Sequence, residues 1–223
     1  MFLSRDIRLA CLFDGEHFRR QIMLTSDRDV TPEDVESATA AIMDDVFTLH
    51  SRQVTVAHFR TYWYDGEPLS KVVSYDDGTT WDPDSDPETI QRRSFLKSVR
   101  SLDHTVTRLG KVKASSSRKK SGQSEDGSRK PRMRQKQVDM LLGLDLVSLA
   151  IKRMVTAVAV VTGDEDFEEP IRMAMAEGVF VYLVPFSSVF AESLADNVDA
   201  VLDTSVARVE EFNVMAHRRR KLS

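Results

Sequence analysis

The chain has 223 residues, of which 41% are hydrophobic and 30% are charged, with one cysteine and a formal net charge of −4. This length and apolar content suffice for one folded domain, while a lone cysteine excludes a fold held by disulfides. Apolar runs stay short of the roughly 20 residues that a membrane-spanning helix needs, and Met1–Arg8 lacks the apolar stretch of a signal peptide. We therefore expect a soluble, cytoplasmic protein that makes no membrane contact.

The first quarter of the chain alternates strand and helix patterns. Arg8–Phe13 is a short apolar strand that stops at Asp14-Gly15, and Glu16–Leu24 is predicted as a helix. A second helix begins at Thr31-Pro32, with threonine as N-cap and proline at the first helical position, and apolar residues three or four apart continue it to about His50. Gln53–Tyr64 is rich in β-branched and aromatic residues, which indicates a strand.

The middle of the chain holds its strongest concentration of positive charge. A loop over Ser74–Pro87, a helix over Glu88–Leu102 and a strand over His104–Val112 lead into it. Between Arg108 and Lys136, eleven basic residues stand against two acidic ones, so this segment carries +9 and the remainder of the chain −13.

Part of this basic segment has no large apolar residue, namely Ala114–Pro131. We therefore predict a disordered basic insert over residues 114–134 within a single domain of residues 1–205. Residues 206–223 are predicted as a C-terminal helix and a basic tail, which ends in the cluster Arg218–Lys221. The two basic segments favour contact with a polyanion, although a solvated linker would have the same composition.

Strand and helix patterns alternate again in the second half of the chain. The predicted helices are Val138–Met154, Phe167–Glu177 and Val206–Phe212, and the predicted strands are Thr156–Val161, Val179–Val184 and Asp196–Leu202. This order predicts a three-layer α/β/α fold with a central, mostly parallel sheet.

Carboxylates stand where the predicted strands end. Asp14 follows the first strand, Asp164 and Asp166 follow the strand that ends at Val161, and Asp139 lies near the start of an almost wholly apolar helix. Open α/β sheets bind ligands at the carboxyl ends of their strands, and carboxylate oxygens are favoured ligands of Mg²⁺ and Mn²⁺. The sequence thus predicts a cation site, while helix capping by Asp164 and Asp166 is the alternative.

Asp145 is predicted to lie apart from this group. It is six residues beyond Asp139, which is about 240° around a helix, so it aligns instead with Ser148 and Lys152 as a solvated polar stripe.

Five short motifs, in order along the chain, resemble those of NYN domains, the PIN-like relatives of nucleases. They are Leu12-Phe13-Asp14-Gly15-Glu16-His17, Tyr62-Trp63-Tyr64-Asp65-Gly66, Lys136-Gln137-Val138-Asp139 with Asp145, Thr162-Gly163-Asp164-Glu165-Asp166-Phe167, and Gly178-Val179-Phe180-Val181. Two positions depart from the family pattern: His17 replaces the usual asparagine and Gln137 the usual glycine.

The resemblance implies a PIN-like fold and metal-dependent cleavage of RNA, single-stranded or structured. Asp14, Asp139, Asp164 and Asp166 would then be the catalytic residues and would hold Mg²⁺ or Mn²⁺. His17, Thr162 and Lys136 are the candidate substrate contacts. The alternatives are that Thr162 is only a helix-entry residue and that His17 is a helix-face residue beside Phe18. A homodimer is left open.

Three other functions remain open from the sequence. An RNA-binding or regulatory NYN protein with weak or no turnover would keep the acidic pocket, with His17 as its defect. An acidic phosphatase or phosphotransferase would use the spacing Asp14-Gly15-Glu16. An adaptor would act through its charged segments and not through Asp14.

Overall fold

In the computed structural model, residues 6–75, 77–115, 122–123 and 129–222 are described. The strands are β1 (Asp6–Asp14), β2 (Thr55–Gly66), β3 (Val73–Ser74), β4 (Thr80–Trp81), β5 (Thr105–Ser115), β6 (Gly122–Gln123), β7 (Arg129–Lys130), β8 (Arg132–Lys136), β9 (Ala157–Val161), β10 (Phe180–Leu183) and β11 (Ala200–Val201). The α-helices are α1 (Gly15–Ser26), α2 (Pro32–Leu49), α3 (Pro87–Arg100), α4 (Val138–Ile151), α5 (Glu168–Ala176), α6 (Glu192–Asp196) and α7 (Val206–Leu222), and a 3₁₀ turn covers Glu165–Phe167.

Seven of the strands form one twisted sheet in the order β11-β10-β9-β1-β2-β5-β8. Every neighbouring pair in it is parallel except β5 and β8, which run antiparallel at one edge. The predicted α/β fold with a mostly parallel central sheet is confirmed.

Helices cover both faces of the sheet, and the side chains of β1 contact a separate core on each face. Leu9, Cys11 and Phe13 point into a core formed with α1, α2, α3 and α7, whereas Ala10 and Leu12 point into a core formed with α4, α5 and α6. A strand buried on both faces must be apolar at every position, and the apolar run of β1 meets that requirement. The result is the three-layer α/β/α arrangement that the sequence predicts.

Parts of the predicted disordered insert form strands, at its margins and in the short antiparallel pair of β6 and β7, which corrects the prediction there. Ala114 lies in β5, and Arg132–Arg134 lie in β8, which pairs with β5 from Lys111–Lys136 to Ser115–Arg132. Ladder hydrogen bonds stabilise this edge, although most of its side chains are polar or basic. Residues 116–121 and 124–128 of the insert lie outside the described residues, and its disorder there stays a prediction.

Two elements near the C-terminus also differ from the prediction. The expected strand Asp196–Leu202 is wrong at its start, because α6 ends at Asp196 and only Ala200–Val201 pair with β10. The last helix runs on to Leu222, well beyond Phe212. Within the described ranges, no helix is both long and apolar enough to cross a bilayer.

Candidate acidic active site

Strand pairing brings the two halves of the acidic site together. β1 lies between β2 and β9, with Phe13 opposite Val161. Because parallel strands end at the same edge of a sheet, Asp14 and the turn Thr162–Asp164 emerge side by side. Helix α4 begins at Val138 with Asp139 in its first turn, so the third candidate reaches this edge from another element.

Asp14 caps helix α1. Its Oδ1 accepts hydrogen bonds from the backbone N–H groups of Glu16 and His17, both at 3.1 Å. Burial raises the pKa of Asp14 from 3.8 to about 6, the negative charges of Asp139 and Glu16 act in the same direction, and the cap hydrogen bonds oppose them. Since both cap bonds use Oδ1, the helix can stay capped while Oδ2 meets a ligand.

Asp164 caps the 3₁₀ turn that follows β9. Its Oδ1 accepts from the N–H of Asp166 at 3.0 Å, so the capping role left open by the sequence is present. Its own N–H donates to Oγ1 of Thr162 at 3.2 Å. Thr162 is fully buried, and its contact with a substrate phosphate stays a prediction. In this structure its hydroxyl accepts the hydrogen bond that holds the turn presenting Asp164.

Asp139 is exposed but electrostatically coupled to the other carboxylates. Its pKa is raised, first by partial desolvation and then by the negative charges of Asp164, Asp166 and Glu16. Like charges raise a carboxyl pKa only at short range. Asp166 is exposed in the same turn as Asp164 and contributes to this field.

Three of the four predicted carboxylates share a cleft of about 520 Å³. Asp14, Asp139 and Asp164 line it, together with the cationic side chains of Arg20 and Arg134. Asp166 is absent from this lining, although its charge acts on Asp139. Neither arginine was singled out by the sequence analysis.

The donor chemistry of this cleft fits a hard divalent cation. Its oxygen ligands are those that magnesium and manganese prefer. Burial first, and neighbouring carboxylates second, raise the pKa values of Asp14 and Asp139, so a bound cation would stabilise their ionised forms. Among the described residues, however, no three His, Cys, Asp or Glu side chains are already arranged as a metal-binding group.

His17 is held on two sides. Its Nε2 donates a 2.7 Å hydrogen bond to the carbonyl oxygen of Pro185, and burial lowers its pKa, so the ring is neutral near pH 7. A Cβ at Gly163 would lie 2.9 Å from the Cε1 of His17, which means that the ring packs directly on that glycine. His17 lines the acidic cleft, but its Nε2 is already engaged with the protein.

Lys136 and Asp145 lie outside the cleft lining. Lys136 is exposed at the end of β8, opposite Lys111 of β5. Asp145 accepts two bonds from Arg108, at 2.7 and 3.1 Å, and one from the Tyr64 hydroxyl at 3.1 Å. The predicted solvated stripe is therefore wrong for Asp145, while its predicted separation from the acidic group agrees with the structure.

A second cleft adjoins the first and was missed by the sequence analysis. It encloses about 390 Å³ and shares Glu16 and Gln135 with the acidic cleft. Three of its lining residues donate to the fully buried Asp65: Arg19 at 3.2 Å, Arg92, and the N–H of Gly66 at 2.7 Å. A charged residue at the end of the apolar run Tyr62–Tyr64 was the available signal, but its arginine partners lie on α1 and α3, distant in sequence.

The strand order and the helices on both faces of the sheet give a three-layer α/β fold that is consistent with a PIN-like arrangement. Residues 111–205 match the family model of the NYN domain, which confirms the resemblance. The matched range includes Asp139, Asp164 and Asp166, and leaves out Asp14.

A structural comparison finds a protein of unknown function from Vibrio parahaemolyticus. It is 17% identical to this chain, with a TM-score of 0.46 over 91% of this chain and 95% of that protein. No curated protein matches the sequence.

Proposed function

We propose that this protein is a metal-dependent ribonuclease whose acidic cleft hydrolyses phosphodiester bonds of RNA. The observation that carries the proposal is the meeting of Asp14, Asp139 and Asp164, from three separate elements, in one cleft. The NYN match supports a nuclease-like activity. We further propose a cytoplasmic location; association into a homodimer stays a prediction.

Asp14, Asp139, Asp164 and Asp166 would hold Mg²⁺ or Mn²⁺. The bound ion would lower the pKa of a coordinated water and offset negative charge on the phosphate. The protein supports this by presenting Asp14 and Asp164 from capped turns, in which Oδ1 is anchored by backbone N–H groups. Such anchoring limits the side-chain entropy lost when a ligand binds.

Arg20 and Arg134 would hold the phosphate of the substrate. Both line the cleft beside the carboxylates, and a guanidinium presents paired donors that match phosphate oxygens. Lys136 would act at longer range from the exposed end of β8. The engaged Nε2 of His17 assigns this residue to fixing the Gly163 turn in preference to direct substrate contact.

The test is cleavage of a labelled single-stranded RNA by the purified protein with manganese, with EDTA, and in the variant Asp164→Asn. We expect cleavage with manganese only, reduced at least 100-fold in the variant. Glu165→Gln is the matched control, because this exposed neighbour loses the same charge without lining the cleft. Equal loss in both variants would contradict the assignment of Asp164.

A second candidate is an RNA-binding NYN protein with little or no turnover. It is favoured by His17, which takes the position of the usual asparagine and is pinned to Pro185, and by the lack of a ready-made metal-binding group among the described residues. RNA binding without cleavage in either divalent ion would select this candidate. His17→Asn would then be the next variant, and gain of cleavage would identify the histidine as the cause.

A further inference from the structure

The antiparallel edge of the sheet carries basic side chains on one of its faces. Side chains alternate between faces along a strand, and Lys111 and Lys113 of β5 stand opposite Lys136 and Arg134 of β8. We call the exposed set Lys111, Lys113, Arg132, Arg134 and Lys136 the basic face. The intervening residues Val112 and Gln135 are half-buried and line the second cleft on the other side.

The basic face has unbalanced charge. Lys111 is directly opposite Lys136, and Lys113 is directly opposite Arg134, and like charges in such pairs destabilise a ladder. Within the described part of the chain, none of the five forms a salt bridge, whereas nearby Lys130 pairs with Asp86 at 2.9 Å and with Glu88 at 2.8 Å. An arrangement that costs stability and has no salt-bridge partner among the described residues points to an external anion.

The face leads directly to the acidic cleft. Arg134 belongs to both, since it also lines the cleft beside Asp139. Aromatic residues are absent from the sequence between Arg108 and Lys136, so stacking on bases is not available from these two strands. Contact with phosphates alone needs no aromatic side chain and no base reading.

We propose that the basic face binds the sugar–phosphate backbone of an RNA strand and guides it, without sequence recognition, into the acidic cleft. This inference rests on the proposed function for the identity of the polyanion. RNA is preferred over an acidic lipid surface because the face is a narrow two-stranded edge that leads into a cleft, a path that a single strand can follow and a flat bilayer cannot.

The test is the salt dependence of RNA binding in EDTA, where binding is measured apart from cleavage. Labelled single-stranded RNA is titrated with wild type and with Lys111→Gln/Lys113→Gln at several salt concentrations. Each phosphate contact contributes about 0.7 to the slope of log affinity against log salt for single strands, or roughly fivefold in affinity at 0.1 M salt. The double variant should therefore bind roughly 25-fold more weakly, with a slope shallower by about 1.4.

The matched control is Lys97→Gln/Lys152→Gln, which removes two exposed lysines from α3 and from the residue after α4. It should bind within about twofold of wild type by the same charge accounting, because these lysines contact no phosphate on the proposed path. If both double variants bound RNA equally weakly, the proposal for the basic face would be overturned. The loss of affinity would then reflect the net charge of the protein and not the position of the lysines. Tighter binding to phosphatidylserine vesicles than to RNA would overturn RNA as the occupant.

The outcomes separate this inference from the proposed function. Metal-dependent cleavage by wild type, with equal binding by wild type and Lys111→Gln/Lys113→Gln, would leave the ribonuclease intact and overturn the basic face. Absence of cleavage, with the expected loss of binding, would support the face and contradict the ribonuclease. Unfolding midpoints in urea should not fall in Lys111→Gln/Lys113→Gln, since the change relieves repulsion across the ladder.

Discussion

Asp14→Asn should stabilise the metal-free protein at neutral pH while abolishing cleavage. The variant removes a carboxylate whose ionised form is disfavoured by burial and by neighbouring Asp139 and Glu16. Asparagine caps helices about as well as aspartate, so the hydrogen bonds from Glu16 and His17 to Oδ1 can be kept. The substitution therefore measures how much the negative charge lowers the free energy of unfolding, while the helix cap stays in place.

The magnitude follows from the pKa of Asp14, which is raised from 3.8 to about 6. Each pKa unit is worth about 1.4 kcal/mol, so the ionised side chain lowers the free energy of unfolding by up to about 3 kcal/mol. Partial exposure allows water to screen the charge, and we expect about 1–3 kcal/mol. Because the folded-state pKa is raised, this stability is present below pH 3.8 and is lost as the pH rises through about 6.

The assay is urea unfolding of wild type and Asp14→Asn in EDTA, at pH 4 and at pH 7.5. The free energies of unfolding should nearly coincide at the lower pH, and the variant should be more stable at the higher pH. Added magnesium should then stabilise wild type more than the variant, since ligand binding to the folded state adds to its stability. A variant less stable than wild type by the same amount at both pH values would refute the reasoning.

Substitutions at three further positions test the surroundings of the site. Asp65→Ala should lower the free energy of unfolding by about 3 kcal/mol in urea titrations, because two arginines lose their buried partner; a loss under about 1 kcal/mol would contradict this. Thr162→Val should cost about 1–2 kcal/mol, because the N–H of Asp164 loses its acceptor, whereas Thr162→Ser should retain wild-type stability. Gly163→Ala should slow RNA cleavage roughly tenfold by displacing the His17 ring, and an unchanged rate would argue against any role for that contact.

The sequence alone determined the layered fold and the edge at which the acidic residues meet. Apolar runs such as Arg8–Phe13 and Thr156–Val161 can be recognised locally in the sequence. Because a strand buried on both faces must be apolar at nearly every position, such runs indicate the central strands. Asp14 and Asp164 follow such runs directly, so their position at the sheet edge needed only the rule that parallel strands end together. Asp139 could be placed because a charge at the start of an apolar helix requires a polar environment.

Only the tertiary structure decided which polar groups pair with which. Asp145 bonds with Arg108 and Tyr64, and Asp65 with arginines of α1 and α3. The burial of Thr162 likewise depends on elements that cover it from elsewhere in the chain. The sequence indicates that a charged group needs a partner. Which residue becomes that partner depends on how the strands and helices are arranged in the folded protein. The basic face is likewise visible only in the tertiary structure. The pairing of β8 with β5 places the basic residues of the two strands opposite each other, beside the acidic cleft.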